Sequence, residues 1–327
     1  MRSRVGIIGL ACLAATSLAS AADALPMWAY GTPPAPAGNA PGGPAGRGAA
    51  PPAAPADESL KHLPGSTGAF TLTQVRDGFG PADWFPGDHP TMPEIVAHGR
   101  KPDIRACSLC HYPNGKGRSE NAPVIGYSNA YFIQQMADFK NGVRKSADAR
   151  KANTNVMIAI AKAMTDDEVK AAAEYFGSMK WTPWVKVVES TTAPKTRIAG
   201  GLFLTVEGDK EPLGNRIIEV PENTEATEVL RDPHSGFIAY APVGSIKKGE
   251  GLAKTAQCSV CHGANLNGLG PVPGIAGRSP SYLMRQMVDM KQGARKGVWT
   301  PMMMPVVDKL SEDEMLAIVA YTASIKP

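Results

Sequence analysis

The sequence predicts a mainly α protein in which two tandem copies of one small helical domain are joined by a short β-rich segment. A shift of 151 residues aligns positions 107–145 with positions 258–296 at 16 identities in 39 positions. The stretch between the copies instead carries β-branched and apolar runs bounded by Gly, Pro, Asn and Asp, which is typical of strands joined by turns. The chain of 327 residues is also longer than one ordinary domain.

The first 24 residues have the features of a secretory signal peptide. Arg2 and Arg4 precede an apolar run, and small-residue cleavage patterns end at Ala21 and Ala24. The apolar run is too short for an ordinary membrane-spanning helix, so we expect an exported protein located in the periplasm. Cys12 lies in this run and is expected to leave with the signal, so membrane contact is expected only if the chain is lipidated or uncleaved.

Two segments precede the first copy. Residues 25–56 are predicted to be a disordered tether, because 23 of the 26 residues at 31–56 are Pro, Ala or Gly and bury too little apolar surface to fold. Residues 57–94 are predicted to be an N-terminal extension that packs on the first copy. The copies themselves are assigned to 95–180 and 246–327, with the β-rich segment at 181–245.

The pattern Cys-X-X-Cys-His occurs once in each copy, at 107–111 and 258–262. It is the c-type haem attachment motif, in which two thiols bond the two vinyl groups of one porphyrin and the adjacent His lies under the iron. We therefore predict two covalently attached haem c groups. The alternative, a redox disulfide or half of a zinc site, is disfavoured by the His that follows each motif. The predicted attachment cysteines and iron-ligating histidines are Cys107, Cys110, Cys258, Cys261, His111 and His262.

Each copy is predicted to contain three helices. One helix leads into the haem motif, and a second spans about 129–142 in the first copy and 280–293 in the other. The third helix begins with a capping box, Thr165-X-X-Glu in the first copy and Ser311-X-X-Glu in the second, and apolar residues follow at helical spacing.

The haem motifs, the Pro-bearing turns at 123–126 and 273–277, the Tyr-led helices and the capped last helices give a resemblance. The sequence resembles the class I dihaem c-type cytochromes of the cytochrome c4 kind. The resemblance implies two tandem class I cytochrome c domains, with a backbone carbonyl of each Pro-bearing turn accepting from the ligating His ring. Such cytochromes join their domains by a short linker, so the longer β-rich segment leaves open whether the two haems lie close together.

The resemblance also implies a distal Met ligand in the loop before each last helix. Met157 and Met303 occupy this position, eight residues before Thr165 and Ser311. Met302 and Met304 flank Met303, and a shift of one residue would substitute either of them. The remaining alternatives are Met136 and Met287, whose mid-helix positions favour core packing, and the histidines His62, His89, His98 and His234.

Arg144 and Arg295 match between the copies. They could pair with haem propionates, because Arg suits carboxylate recognition, or they could be solvated cations at helix ends. Both interpretations remain open from the sequence.

The expected function is that of a periplasmic electron carrier or of a cytochrome subunit of a dehydrogenase complex, and not of an enzyme in its own right. Single electrons would come from an exported dehydrogenase or reductase and pass to an oxidase or another cytochrome. A net charge of +4 is too small an excess to indicate nucleic acid binding. The alternative is a dihaem peroxidase or other redox enzyme with one displaceable haem ligand.

Overall fold

The computed structural model describes residues 25–33 and 57–327, so the predicted signal peptide and most of the predicted tether lie outside the described residues. The helices are α1 (Met27–Tyr30), α2 (Leu72–Val75), α3 (Glu94–Ala97), α4 (Cys107–His111), α5 (Asn129–Lys140), α6 (Ala152–Ala163), α7 (Asp166–Ser178), α8 (Ser245–Thr255), α9 (Cys258–His262), α10 (Pro280–Lys291), α11 (Thr300–Val307) and α12 (Glu312–Ser324). The strands are β1 (Val185–Glu189), β2 (Thr192–Ala199), β3 (Leu202–Pro212), β4 (Ile218–Pro221), β5 (Phe237–Ala241), β6 (Gly268–Leu269) and β7 (Val272–Pro273). Within the described ranges, no helix combines the length and apolar character that a membrane span requires.

The two copies, called repeat 1 (95–180) and repeat 2 (246–327), contain the predicted second and third helices. The second helices are α5 and α10, each of which ends two residues before the predicted boundary. Before α7, the Thr165 hydroxyl accepts from the Glu168 amide and the Glu168 carboxylate accepts from the Thr165 amide, which completes the capping box. Ser311 and Glu314 form the same arrangement before α12.

The repeats differ in the helix that leads into the haem motif. In repeat 2, α8 packs along α12, and Gly249 permits close contact because a Cβ there would overlap the Ala317 carbonyl. In repeat 1, α3 is a single turn, because Gly99 adopts a φ of 67° directly after it and Pro102 provides no amide hydrogen to continue a helix. The prediction of a leading helix is therefore wrong in extent for repeat 1.

A second difference from the sequence analysis concerns the segment before each last helix. The resemblance implied a loop there, whereas the chain forms α6 in repeat 1 and α11 in repeat 2. Each repeat thus has a further helix that carries the predicted distal Met. Helix α6 packs against α5, and α11 packs against α10.

The segment between the repeats contains two small sheets. Strand β5 pairs in parallel with β1 and antiparallel with β4, while β2 and β3 form a hairpin with an irregularity between Pro194 and Thr196. Leu202 and Leu204 of β3 are buried in a cluster with Tyr112, the residue after the first haem motif. The hairpin therefore packs directly on the haem-binding part of repeat 1.

Residues 25–33, named the N-terminal strap, were predicted to belong to the disordered tether, and this prediction is wrong for them. Tyr30 is fully buried, and its hydroxyl donates to Asp289 of α10 at 2.8 Å. The carbonyl of Ala29 accepts from Arg285, and that of Tyr30 accepts from Lys151. The aromatic side chains of the strap bury enough apolar surface against α10 to hold it, which the composition of the whole tether conceals.

Repeats 1 and 2 are in direct contact, and the contact has approximate twofold symmetry. Matched residues exchange backbone hydrogen bonds: the Lys145 amide donates to Ala294, and the Lys296 amide donates to Val143. The β-rich segment therefore does not hold the repeats apart, although the sequence alone left this open.

Candidate haem sites

The motif residues of repeat 1 open into one cavity of about 310 Å³. Cys107, Cys110 and His111 line it on the α4 side, and Met157 of α6 also lines it. The structure thus brings together all four residues that the sequence analysis selected for the first haem.

The ligating histidines have the same hydrogen bond in both repeats. The Nδ1 atom of His111 lies 2.8 Å from the carbonyl oxygen of Ala122, and the Nδ1 atom of His262 lies 2.8 Å from that of Pro273. Ala122 and Pro273 are equivalent under the shift of 151 residues, and each lies in or directly before a Pro-bearing turn. A carbonyl accepts only from a protonated Nδ1, so this bond leaves Nε2 with the free electron pair that an iron ligand needs.

Burial acts in the same direction as this hydrogen bond. It lowers the pKa of His111 and of His262, so that the imidazole is held neutral, which is the form that binds metal. Burial raises the pKa of the Cys107 thiol to about 12, in contrast to the low pKa of redox-active Cys-X-X-Cys sites. Among the described residues, no group of three or more His, Cys, Asp and Glu side chains is placed to hold a metal ion, which disfavours the zinc alternative.

The lining of the repeat 1 cavity suits an amphipathic porphyrin. One part of the lining is apolar and includes Val124, Phe132, Phe139, Ile160 and Phe176. Another part is cationic and includes Arg144, Lys151 and Arg285. A haem has an apolar ring and two anionic propionates, so the residues present fit the group that the motif predicts.

Three cationic residues of this site were not identified from the sequence. Burial, together with the neighbouring Arg285 guanidinium, lowers the pKa of Lys151 to about 7. Arg285 donates to Ser119 of repeat 1 as well as to the strap. Arg278 is 2% exposed and donates to the carbonyls of Pro123 and Gly274, so it links the two turns that support the histidines. The only sequence signal for them was a charged residue placed within an otherwise apolar helix or turn.

Arg144 and Arg295 are buried, so the interpretation as solvated helix ends is wrong. The Arg144 guanidinium donates to Gln135 of its own repeat and to Gln286 and Tyr282 of the other. Arg295 forms the matching bonds to Gln286, Gln135 and Tyr131. Within the described part of the chain, neither guanidinium has a carboxylate ion pair.

Three methionines line the repeat 1 cavity. Met136 and Met164 are 6% and 4% exposed and form part of the core of repeat 1, whereas Met157 is half-buried and packs on the edge of that core. In repeat 2, Met302 is 63% exposed, while Met303 and Met304 both pack against the core. Met287 is buried in the middle of α10.

The alternative histidines lie elsewhere and do not line the cavity of repeat 1. His89 contacts Asp83, His234 contacts Asp88, and the Nδ1 atom of His98 lies 3.1 Å from the Phe79 carbonyl. His62 is exposed in the N-terminal extension.

Comparison with known proteins identifies relatives of both parts of the chain. The family model described as Cytochrome c matches residues 246–326. The chain is 40% identical over 91 residues to a cytochrome c4 of Thiocapsa roseopersicina, which covers 27% of this chain and 45% of that protein. It is 35% identical over 75 residues to cytochrome c-554(548) of Halomonas halodenitrificans, which covers 23% of this chain and 90% of that protein.

A third relative aligns over a longer stretch at lower identity. It is a protein of Stutzerimonas stutzeri named thiosulfate dehydrogenase electron acceptor, which is 25% identical over 230 residues. This alignment covers 69% of the present chain and 82% of the relative. The similarity therefore extends beyond a single repeat.

Proposed function

The chain belongs to the c-type cytochromes, of the cytochrome c4 kind, and carries two covalently attached haem c groups, and we propose that it is a periplasmic carrier of single electrons. A haem c iron supplies a reversible one-electron couple when it is bound. The observation that carries the proposal is the convergence of both Cys residues, the His and a Met on one cavity in repeat 1.

In this proposal the protein closes both axial positions of each iron. Cys107 and Cys110 attach one porphyrin, and Cys258 and Cys261 attach the other. His111 and His262 supply one nitrogen ligand each, oriented by the bonds to Ala122 and Pro273. Two permanent ligands favour electron transfer, since they leave no position for a substrate.

Met157 and Met303 are proposed as the second axial ligands. Met157 lines the cavity and is half-buried, so its thioether is less committed to the core than those of Met136 and Met164. In repeat 2, Met303 packs inward, whereas its neighbour Met302 is mostly exposed. The equivalent positions before the two capping boxes favour Met303 over Met304.

The contact between the repeats supports transfer between the two haems. Tyr282, Gln286 and Asp289 of repeat 2 line the cavity of repeat 1, so the first haem site reaches the other repeat without intervening solvent or linker. Arg144 also lines this cavity and has no carboxylate partner among the described residues. We propose that the propionates supply its counter-charge, as Arg295 would require for the second haem.

The proposed donor is an exported dehydrogenase or reductase, and the proposed acceptor is an oxidase or another cytochrome. The Stutzerimonas relative is named as an electron acceptor of a dehydrogenase, which supports this class of donor. The proposal treats the chain as the carrier or cytochrome subunit and assigns substrate chemistry to the partner.

An anaerobic redox titration of protein matured in a periplasm tests the proposal. We expect two reversible one-electron steps per chain and no binding of carbon monoxide to the reduced protein, because both irons keep two protein ligands. Carbon monoxide binding at one haem, together with turnover of hydrogen peroxide, would contradict the carrier function and favour a peroxidase.

A further inference from the structure

The haem-attachment helices of the two repeats differ sharply in exposure, although their sequences match. Leu109 of α4 is 9% exposed, whereas the equivalent Val260 of α9 is 67% exposed. Ser108 is buried, whereas the equivalent Ser259 is exposed. Both helices belong to the same chain in the same state, so the difference comes from what the rest of the chain places on them.

Helix α4 is covered by segments that repeat 2 lacks. The Arg231 guanidinium donates to the Leu109 carbonyl, and Asn114 donates to the carbonyl of Pro233 at 2.9 Å. From the other side, the Ala106 amide just before α4 donates to Gly78 of the N-terminal extension. For α9, by contrast, the hydrogen bonds of residues 257–262 within the described chain all go to positions 254–273.

The loops that follow the two helices differ in charge in the same way. Lys116, Arg118 and Glu120 of repeat 1 correspond to Asn267, Leu269 and Pro271 of repeat 2 under the shift of 151 residues. The side chain of Arg118 is only 12% exposed and forms an ion pair with Glu228 of the connecting segment at 3.1 Å. Leu269 is 61% exposed. Where the chain covers itself, the loop is charged and ion-paired, and where it is open, the loop is apolar.

We infer that this open surface, formed by Val260, Leu269 and the exposed residues Ser259, Asn267 and Pro271 and named the α9 face, is the docking surface for a redox partner. The inference rests on the proposed electron-transfer function and adds the place of contact and the chemistry of the partner. Cys261 is itself exposed on α9, so a partner seated here lies against the attachment edge of the second haem.

The partner that fits is a redox protein with an uncharged, apolar surface around its own redox centre. No residue from Thr255 to Gly277 carries a formal charge, apart from any proton taken up by His262. A charged partner side chain buried here would lose its hydration without meeting a counter-charge, which is unfavourable. Apolar contact between two neutral surfaces has no such penalty.

The test uses the haem-loaded protein and a reduced blue-copper protein that presents an uncharged apolar face around its copper. Stopped-flow absorption gives the second-order rate constant for electron transfer. We expect this constant to change less than about twofold between low and high salt, because no net charge steers the encounter. We expect Val260→Asp and Val260→Lys both to lower it about tenfold, since either charge must be desolvated.

Val243→Asp is the matched control, because Val243 is also 67% exposed but precedes α8, about 16 Å of helix away from α9. Its rate constant should stay within about twofold of the wild type. Opposite effects of Asp and Lys at Val260, a steep dependence on salt, or equal effects at Val243 and Val260 would each overturn the α9 face as a neutral docking surface. Failure of the haems to cycle with ascorbate and ferricyanide would instead refute the electron-transfer function itself.

Discussion

Arg144 and Arg295 meet in an antiparallel bridge at the centre of the contact between the repeats, although both side chains are cations. Each guanidinium donates to a Gln of its own repeat and to a Gln and a Tyr of the other. Two buried like charges without a carboxylate raise the free energy of the contact unless anions neutralise them. The haem propionates are the anions that the proposed function places nearby.

Removing one of these cations should lower the reduction potential of a haem. Arg144→Gln removes a positive charge that favours the reduced iron, and we expect a decrease on the order of 50 mV, for a charge about 10 Å from the iron in a partly screened interior. Spectroelectrochemical titration measures it. Arg216→Gln is the control, since Arg216 is an exposed residue of the connecting segment paired with Glu211, and it should leave both potentials unchanged.

Replacing Met157 should change one haem only. We expect Met157→Ala to lower the potential of that haem by on the order of 0.1 to 0.3 V, because a thioether ligand raises the potential of haem iron. Met136→Leu should leave both potentials near their wild-type values, since Met136 is proposed to act in core packing. The ligand assignment in repeat 1 is wrong if the two variants exchange these behaviours.

The N-terminal strap should depend on Gly31. This residue has a φ of 60°, and a Cβ there would overlap the carbonyl of Gly201. Gly31→Ala is expected to lower the free energy of unfolding by about 2 to 3 kcal/mol, from backbone strain together with the loss of strap packing. Gly200→Ala is the matched control: Gly200 has a φ of 58° but open space around it, so about 1 kcal/mol is expected. Guanidinium denaturation followed by circular dichroism measures both values, and equal effects would count against a tightly packed strap.

The contact between His89 and Asp83 should make stability depend on pH. The hydrogen bond from Asp83 raises the pKa of His89, so the folded state binds a proton more tightly than the unfolded state. The resulting stabilisation is complete below the ordinary His pKa of about 6.5 and is lost as pH rises through the raised value. Asp83→Asn should therefore lower the free energy of unfolding by about 1 kcal/mol or less at pH near 5.5, and by a smaller amount at pH near 9.

Denaturation of wild type and variant at the two pH values measures this difference. Asp88→Asn is the control, because the ion pair of Asp88 with His234 is about half exposed on both sides and should contribute less. A larger loss at the alkaline pH would contradict the sign of the linkage.

Much of the site was predictable from the sequence because its signals are local. The Cys-X-X-Cys-His motifs, the capping boxes at Thr165 and Ser311 and the equivalence of the two repeats all depend on short spacings. The carbonyl bonds to His111 and His262 followed from the resemblance, and the structure contains both of them.

What the sequence did not reveal depends on contacts between distant segments. The strap was hidden because Trp28 and Tyr30 directly precede a Pro-, Ala- and Gly-rich stretch, and only their packing against α10 shows that they fold. The covering of α4 by residues around Arg231 is likewise set by tertiary structure, more than 120 residues along the chain. No periodicity or motif encodes such a contact.

The most direct test of the account is the visible absorption spectrum of the oxidised protein, with the weak far-red band of Met sulfur on ferric haem measured per haem. The account predicts a band intensity that corresponds to two haems, reduced by half in Met157→Ala and by half in Met303→Ala. A wild-type intensity that corresponds to one haem, or a high-spin ferric signal, would contradict permanent Met ligation at both irons and the carrier function that depends on it.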